Sequence, residues 1–490
     1  MEHGRRRVHA SGDVVVVGAG ASGVLSAAAL LRARLGAVLV ERDESWSTGP
    51  AYATDNLRHL LNVPAGKLGA ETRRPLDFVE WAAEREPNVS AESFLPRRLY
   101  GEYLRHSLDA AERAAQPVAL SRVTGEVIGL DVIRAEIGDS DAVRVELHGG
   151  RSLLAAHVVL ALGSPPSRAL ARDVDTVIDD PWSVGTSGLI RADDSIVIVG
   201  SGLTAVDVAL SLAGRGHRGP LRMVSRHGLL PRTHAARFPS ALTAPEPSSA
   251  ATARAALAWF RAAVADADGD WRVVVDAIRP ATNEIWRALP ESERARLLRH
   301  AGRYWEVHRH RVAPQIGRAV ERLVDSGRLG VAAGTVTRVE RGTRDACRVV
   351  VRDGRGVESR LDARWVINCT GPNFDARASA SPLVRSLLHR GAARPGPLGH
   401  GLDVTRDGAL VDRSGRVSPH VSVVGPLRRG AEWETTAIPE IRAQAEALAA
   451  RIAPERRASR PRDDRRRSTV LRASRESADS RTRTGIEVAR

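Results

Sequence analysis

One short pattern occurs twice in this chain: a β-branched run that stops at closely spaced glycines and opens into a helical stretch. Asp13–Val17 reads DVVVV, the composition of a strand buried on both faces. Gly18, Gly20 and Gly23 follow at once, in GAGASG, and helical spacing runs from Val24 to about Arg34. Gly18 suits the tight turn, Gly20 lets a pyrophosphate approach the backbone, and Gly23 lets the helix lie close to the strand. The helix N-terminus then faces the phosphates with its partial positive charge. A second strand, Ala37–Val40, ends at Glu41, placed to accept hydrogen bonds from ribose hydroxyls. The glycine spacing alone is weak evidence, but strand, helix and terminal acid together form the confirming context. Ser22, Arg42 and Val123 complete the candidate set at this site.

The pattern returns at Asp194–Val199, followed by Gly200 and Gly202 in GSGLTA, with Thr204 beside the alanine at the third position. Here the next strand, Leu221–Val224, ends in Ser225-Arg226-His227 and not in an acid. A carboxylate would repel a 2′-phosphate, whereas a hydroxyl and a guanidinium bind it. The second site is therefore expected to take NADPH, with NADH the weaker candidate; a surface arginine in an arginine-rich protein is the alternative reading of Arg226. Two such corners predict an α/β chain with two Rossmann-like dinucleotide-binding domains. One flavin (FAD) and one nicotinamide coenzyme are the natural pair, since hydride passes between them.

Further stretches carry a resemblance to a known family. They are GPAYAT (49–54), HLLNVPA (59–65), DFVEWA (77–82), FLPRRLYGEYL (94–104), GLTAVDVAL (202–210), SRHGLLPRTH (225–234), HRHRVAP (308–314), INCTGP (367–372) and WETTAIPEIR (433–442). With these the chain resembles the two-dinucleotide-binding flavoproteins, and among them the YdhS-like FAD/NAD(P)-binding family, some of whose relatives resemble N-hydroxylating monooxygenases acting on amino acids. The resemblance implies FAD and NAD(P)H as cofactors. It draws His59, Leu61 and Asn62 to the flavin, where Asn62 would hydrogen-bond the ring or a peroxide on it; a turn former before Pro64 is the other reading of Asn62. The FxGxxxHxxxW fingerprint of Baeyer–Villiger enzymes is absent, which speaks against ketone oxygenation.

Two apolar runs, Val158–Gly163 and Val366–Gly371, each end in a glycine, as expected where a chain crosses between nucleotide domains. Gly163, Thr370 and Gly371 are thus candidate cofactor neighbours. Near the C-terminus, Val421–Val424 ends at Gly425, and Thr435 and Thr436 precede a helix from Ala437 to about Ile452, with Thr436 as its N-cap. That N-terminus would face the flavin and stabilise negative charge on it. Residues 239–327 read as a helical insert. Its last part contains His308 and Arg309, candidates to bind a substrate carboxylate or, alternatively, residues of a charged outer helix face.

Composition narrows the function classes. The formal charge of +15 suggests nucleic acid, but Lys67 is the only lysine, and the last forty residues hold thirteen arginines against six acids. Basic ends of this kind read as solvated tails, so no nucleic-acid partner is expected. Only Cys347 and Cys369 occur, with no CxxC pair, which argues against a disulfide-relay flavoenzyme and for a reducing, cytoplasmic setting. Glycines interrupt the apolar stretch after Arg5–Arg7, which argues against a signal peptide. No apolar run approaches membrane-spanning length, and no His/Cys/Asp cluster has metal spacing.

The expected organisation is a disordered arm (1–12), an FAD domain (13–185 and 365–452), an NAD(P)H domain (186–364) and a disordered basic tail (453–490). The expected reaction is monooxygenation: NADPH reduces the flavin, O2 adds to give a C4a-hydroperoxyflavin, and one oxygen passes to a small molecule, an amine or amino acid nitrogen. Two rivals stay open, an NAD(P)H dehydrogenase or reductase without oxygenation and a non-catalytic redox-sensing binding protein. Oligomeric state is open as well.

Overall fold

The structure is a computed structural model that describes residues 14–43, 46, 49–133, 141–172, 174–182, 188–235, 252–342 and 346–459. The expected arm, residues 239–251 of the expected insert and the tail beyond 459 lie outside these.

The valine run at the start forms β1 (Val14–Val17), every residue of it buried. Helix α1 (Ala21–Arg32) and β2 (Ala37–Glu41) follow. Three helices come next, α2 (Gly49–Tyr52), α3 (Asp77–Ala83) and α4 (Arg97–Ala115), then β3 (Leu120–Thr124). An antiparallel meander, β4 (Val127–Ile133), β5 (Ala142–Leu147) and β6 (Ser152–Ala155), leads into β7 (His157–Leu160). In β5 burial alternates with the two-residue strand period: Val143, Val145 and Leu147 point inward.

The chain then crosses over. After β8 (Val177–Ile178) come β9 (Ile196–Val199), α5 (Leu203–Gly214) and β10 (Leu221–Ser225). Helices α6 (Ala253–Asp266), α7 (Trp271–Ile278), α8 (Thr282–Ala288), α9 (Glu291–His300) and α10 (Gly302–Arg309) form the insert, and α11 (Pro314–Asp325) follows it. Strand β11 (Leu329–Ala333) precedes a second meander, β12 (Thr335–Arg341), β13 (Cys347–Arg352) and β14 (Glu358–Ala363), which feeds β15 (Trp365–Asn368). The return to the first domain brings α12 (Pro382–His389), β16 (Ala409–Val411), β17 (Val417–Val423) and α13 (Ile438–Ser459).

Two sheets organise the molecule, in the orders β16-β17-β7-β1-β2-β3 and β11-β10-β9-β15-β8. All pairings in both are parallel except β16 with β17. Each is covered by helices on one face and by a three-stranded meander on the other. In the first, α1, α4 and α13 supply Leu30, Leu104 and Ile441 to one core, while β4–β6 and α12 supply Val145 and Leu387 to the opposite one. In the second, α5 and α11 pack Val206 and Val320 on one face, and Val349 of β13 lies on the other. The crossing strands β8 and β15 hydrogen-bond within the second sheet. Trp365–Asn368, expected in the first domain, thus sit in the second, because Val366 pairs with Val197 of β9 rather than with the first sheet. No helix of the described residues is long and apolar enough to cross a membrane.

Candidate functional site

Both glycine-rich corners form at the C-terminal ends of parallel strands, where open α/β sheets bind ligands. Gly18 and Gly200 hold φ of 102° and 116°, in the region that favours glycine, and each faces the end of a crossing strand. A Cβ on Gly18 would stand 2.5 Å from the Ala161 carbonyl oxygen, and one on Gly200 would overlap that of Cys369. A Cβ on Gly23 would overlap the Gly18 carbonyl oxygen, so the close helix–strand packing expected of this glycine is present.

Gly20 and Gly202 differ from these. They are the N-caps of α1 and α5, with extended backbone and no side-chain cap. A Cβ would meet only Gly49 Cα at 3.8 Å in the first case and open space in the second. Uncapped first-turn N–H groups opening onto a cradle with no side chain in it are what a pyrophosphate requires. Each corner therefore fits a dinucleotide.

Glu41 closes the first corner. Its Oε2 accepts from Ala19 N–H at 2.6 Å and its Oε1 from Arg42 N–H at 2.9 Å, which aims the carboxylate at the glycine turn. Val123 lies beside Val40 on the adjoining strand. From the C-terminal side Gly425, φ 87°, packs against α1 so closely that a Cβ would overlap Ser22 Oγ. Buried Thr435 donates to the Gly425 carbonyl at 2.9 Å, and Gln444 Oε1 accepts from Gly425 N–H at 2.8 Å. Thr435 thus locks the C-terminal segment onto the first corner, and half-buried Thr436 stands just before α13.

The crossing segments run side by side, with Asn373 N–H donating to the Pro166 carbonyl at 3.1 Å. Gly163 and Gly371 take φ of 69° and 85° there. Thr370 donates its hydroxyl to Asn368 Oδ1 at 2.7 Å, and buried Asn368 in turn donates to Asp179 at 2.8 Å.

At the second corner Ser225 ends β10, its hydroxyl 2.7 Å from that of Ser201, and Arg226 beside it is exposed. Thr204 is half-buried in the first turn of α5.

The two domains meet around His59. Its ring nitrogens lie 2.6 Å from Ser211 Oγ on α5 and 2.7 Å from Thr54 Oγ1. Burial pushes this imidazole below its usual pKa, against the pull of Asp207. Buried Leu61 donates its N–H to Leu95, and half-buried Asn62 accepts at its carbonyl from His234 Nε2 at 3.0 Å. Burial, with Arg311 adding to it, pushes His234 down to about 4.

The insert docks on the 428–440 segment. Arg309 is buried and bonds both oxygens of Glu434, at 3.1 and 2.9 Å. Arg279 does the same with Glu440, at 2.8 and 2.7 Å. Asn283 exchanges two hydrogen bonds with the Glu434 backbone. The Arg309 charge is therefore spent within the fold. His308 turns Nδ1 to its own helix, 2.7 Å from the Tyr304 carbonyl, with its ring edge-on to Trp271. Sequence reasoning did not anticipate Asp207, Ser211, Glu434 or Asn368: each gains its role from a partner far along the chain, and no local spacing marks it. Among the described residues no group of three or more His, Cys, Asp or Glu is arranged to hold a metal.

Known proteins agree with this architecture. No curated protein matches the chain in sequence. Among solved structures it is similar in fold to the ornithine N-hydroxylase of Kutzneria sp. 744, at 17% identity and TM-score 0.62 over 92% of this chain and 100% of the other. It is similar to the L-lysine 6-monooxygenase of Pseudomonas syringae at 16% identity and TM-score 0.62, over 92% and 100%. The bacillithiol disulfide reductase of Staphylococcus aureus is a more distant likeness, at 12% identity and TM-score 0.54, over 90% and 98%. Residues 15–165, which hold the first corner from β1 through β7, match the model of a family described as FAD-NAD(P)-binding.

Proposed function

We propose that this protein is an FAD-dependent, NADPH-using monooxygenase that transfers one oxygen atom of O2 to a small molecule, with an amine or amino acid nitrogen as the acceptor. The observation that carries the reading is the likeness of fold over nearly the whole chain to proteins named as an ornithine N-hydroxylase and an L-lysine 6-monooxygenase. Bound FAD supplies the hydride acceptance and the O2 chemistry; the protein's part is binding, orientation and exclusion of water.

Gly18, Gly20 and the first turn of α1 would hold the FAD pyrophosphate, and Glu41 would hold the adenosine ribose. Gly425 and Thr435, packed against α1, would help hold the same cofactor, and the N-terminus of α13 would lend its positive end to negative charge on the flavin. Gly200, Gly202 and α5 would hold the pyrophosphate of NADPH. The His59–Ser211 and Arg97–Asp207 contacts tie the first domain to α5, and would thereby hold the two cofactor sites in a fixed relation. His308 and Arg309 are not assigned to substrate, since one bonds its own helix and the other is held by Glu434. The reductase alternative gains nothing from the cysteines: Cys347 and Cys369 are both buried free thiols, and burial raises both pKa values, the opposite of an activated thiolate.

The test is turnover of purified holoprotein with NADPH and heavy-isotope O2 against a panel of amines that includes ornithine, lysine and cadaverine. Amine-stimulated O2 consumption with the label in a hydroxylamine product supports the proposal. NADPH oxidation that proceeds with quinones or disulfides, and puts no label into any amine, contradicts it.

A further inference from the structure

The two corners are built alike but differ in charge at one point. In the first, the middle residue of the Gly-x-Gly turn is Ala19, and the residue ending the next strand is Glu41, whose carboxylate lies 2.6 Å from Ala19 N. In the second, the corresponding residues are Ser201 and Ser225. Ser201 donates its one hydroxyl hydrogen to the Leu229 carbonyl at 2.7 Å, so the Ser225 hydroxyl donates to Ser201. Into this spot the insert sends Arg303 of α10. Its Nη2 donates to the Leu229 carbonyl at 2.9 Å and to Ser201 Oγ at 3.2 Å. A guanidinium and two hydroxyls thus occupy the ground held in the first corner by a carboxylate.

The consequence is a reversal of preference. A carboxylate suits a ribose diol and repels a phosphate on it; a guanidinium attracts that phosphate. Arg303 is well placed for such a role, because its side chain is only 21% exposed and is held from behind by a backbone carbonyl. Its acidic neighbour is Glu306, at 3.5 Å and 40% exposed, a loose and partly solvated ion pair. Arg226, exposed next to Ser225, can approach the same point from solvent.

The geometry points to Arg303 as a specificity-determining residue that binds the 2′-phosphate of NADPH together with Arg226, so that the helical insert takes part in selecting the coenzyme. This rests on the reading of the second corner as the coenzyme site. Glu306 opposes the phosphate and tempers its binding.

Calorimetric titration of the FAD-loaded protein with 2′,5′-ADP and with 5′-AMP, which differ only in the 2′-phosphate, tests the inference. The wild type binds 2′,5′-ADP more tightly. Arg303→Gln weakens 2′,5′-ADP on the order of tenfold and leaves 5′-AMP within about twofold. Arg303→Lys loses less, and Glu306→Gln tightens 2′,5′-ADP alone. A wild type that binds neither nucleotide overturns the reading of the second corner itself. A wild type without preference for 2′,5′-ADP, or with a preference that Arg303→Gln leaves intact, overturns the role of Arg303 while that reading stands. Should Arg303→Gln fail to fold, unchanged 2′,5′-ADP affinity in both Arg303→Lys and Glu306→Gln has the same force.

Discussion

Arg97, at the start of α4, and Asp207, on α5, form an ion pair of 2.8 Å across the junction of the two dinucleotide-binding domains, with side chains only 11% and 8% exposed. Beside it, His59, between α2 and α3, contacts Ser211 of α5 across the same junction. A buried charge is costly once its partner is removed. Arg97→Met is accordingly expected to destabilise the protein by about 3–5 kcal/mol in urea unfolding, and Arg97→Met combined with Asp207→Leu to recover much of that loss. Strictly additive losses would show that the pair does not couple the domains.

The glycines of the two corners separate packing from binding. Gly23→Ala places a methyl group on the Gly18 carbonyl oxygen and is expected to yield little folded protein. Gly202→Ala meets nothing within 4 Å, so the fold survives while the methyl group occupies the approach of the pyrophosphate. The expected result is a melting temperature near that of the wild type with NADP+ affinity reduced about tenfold or more. Unchanged NADP+ affinity in Gly202→Ala would contradict the assignment of that corner.

Glu41 is held by the Ala19 and Arg42 amides with its carboxylate beside the glycine turn. A hydrogen bond to a charged group is worth about 1.5–3 kcal/mol, so Glu41→Ala should weaken FAD binding by roughly ten- to a hundredfold. The measurement is flavin released on dilution of the yellow protein, followed by its fluorescence. Retention equal to wild type would remove Glu41 from the site.

Stability should fall on acidification for a reason visible at the domain junction. Burial lowers the pKa of His59, of His234 and of His310, the last also crowded by Arg309, Arg429, Arg279 and Arg303. A histidine with a depressed folded pKa binds fewer protons than its unfolded form, so stability rises with pH through the interval between the two values. For His234 the stabilisation is full above about 6.5 and is lost as pH falls toward about 4. The shift corresponds to roughly 3 kcal/mol at most. Thermal melts of wild type and His234→Gln from pH 8 to 4 check this. The variant should show a shallower acid-side decline, and parallel curves would exclude His234 as a source.

Much of the scaffold is legible in the sequence because its signals are local. A valine run, three spaced glycines and a terminal acid lie within thirty residues or so, and their physics is contained there. The alternation in β5 is local too, but two short antiparallel meanders look like any exposed hairpin until the sheets beneath them are known. What local pattern misses is pairing at long range. Nothing near Trp365 says that β15 joins β9 rather than the first sheet. Arg309 reads as a free cation beside a cleft, and only the fold brings Glu434 to it. Arg303 precedes a segment rich in aromatic and charged residues, yet its contact with Ser201 depends on how the whole insert folds back over β10.

The central claim is that one polypeptide holds a flavin and a nicotinamide coenzyme in two matching corners, with hydride passing between them. Anaerobic titration of the purified protein with NADPH, followed at the visible flavin band, tests it most directly. The account predicts a yellow protein with one FAD per chain that bleaches fully with about one equivalent of NADPH. A colourless protein that takes up no FAD, or bound flavin that stays oxidised under excess NADPH, would contradict it.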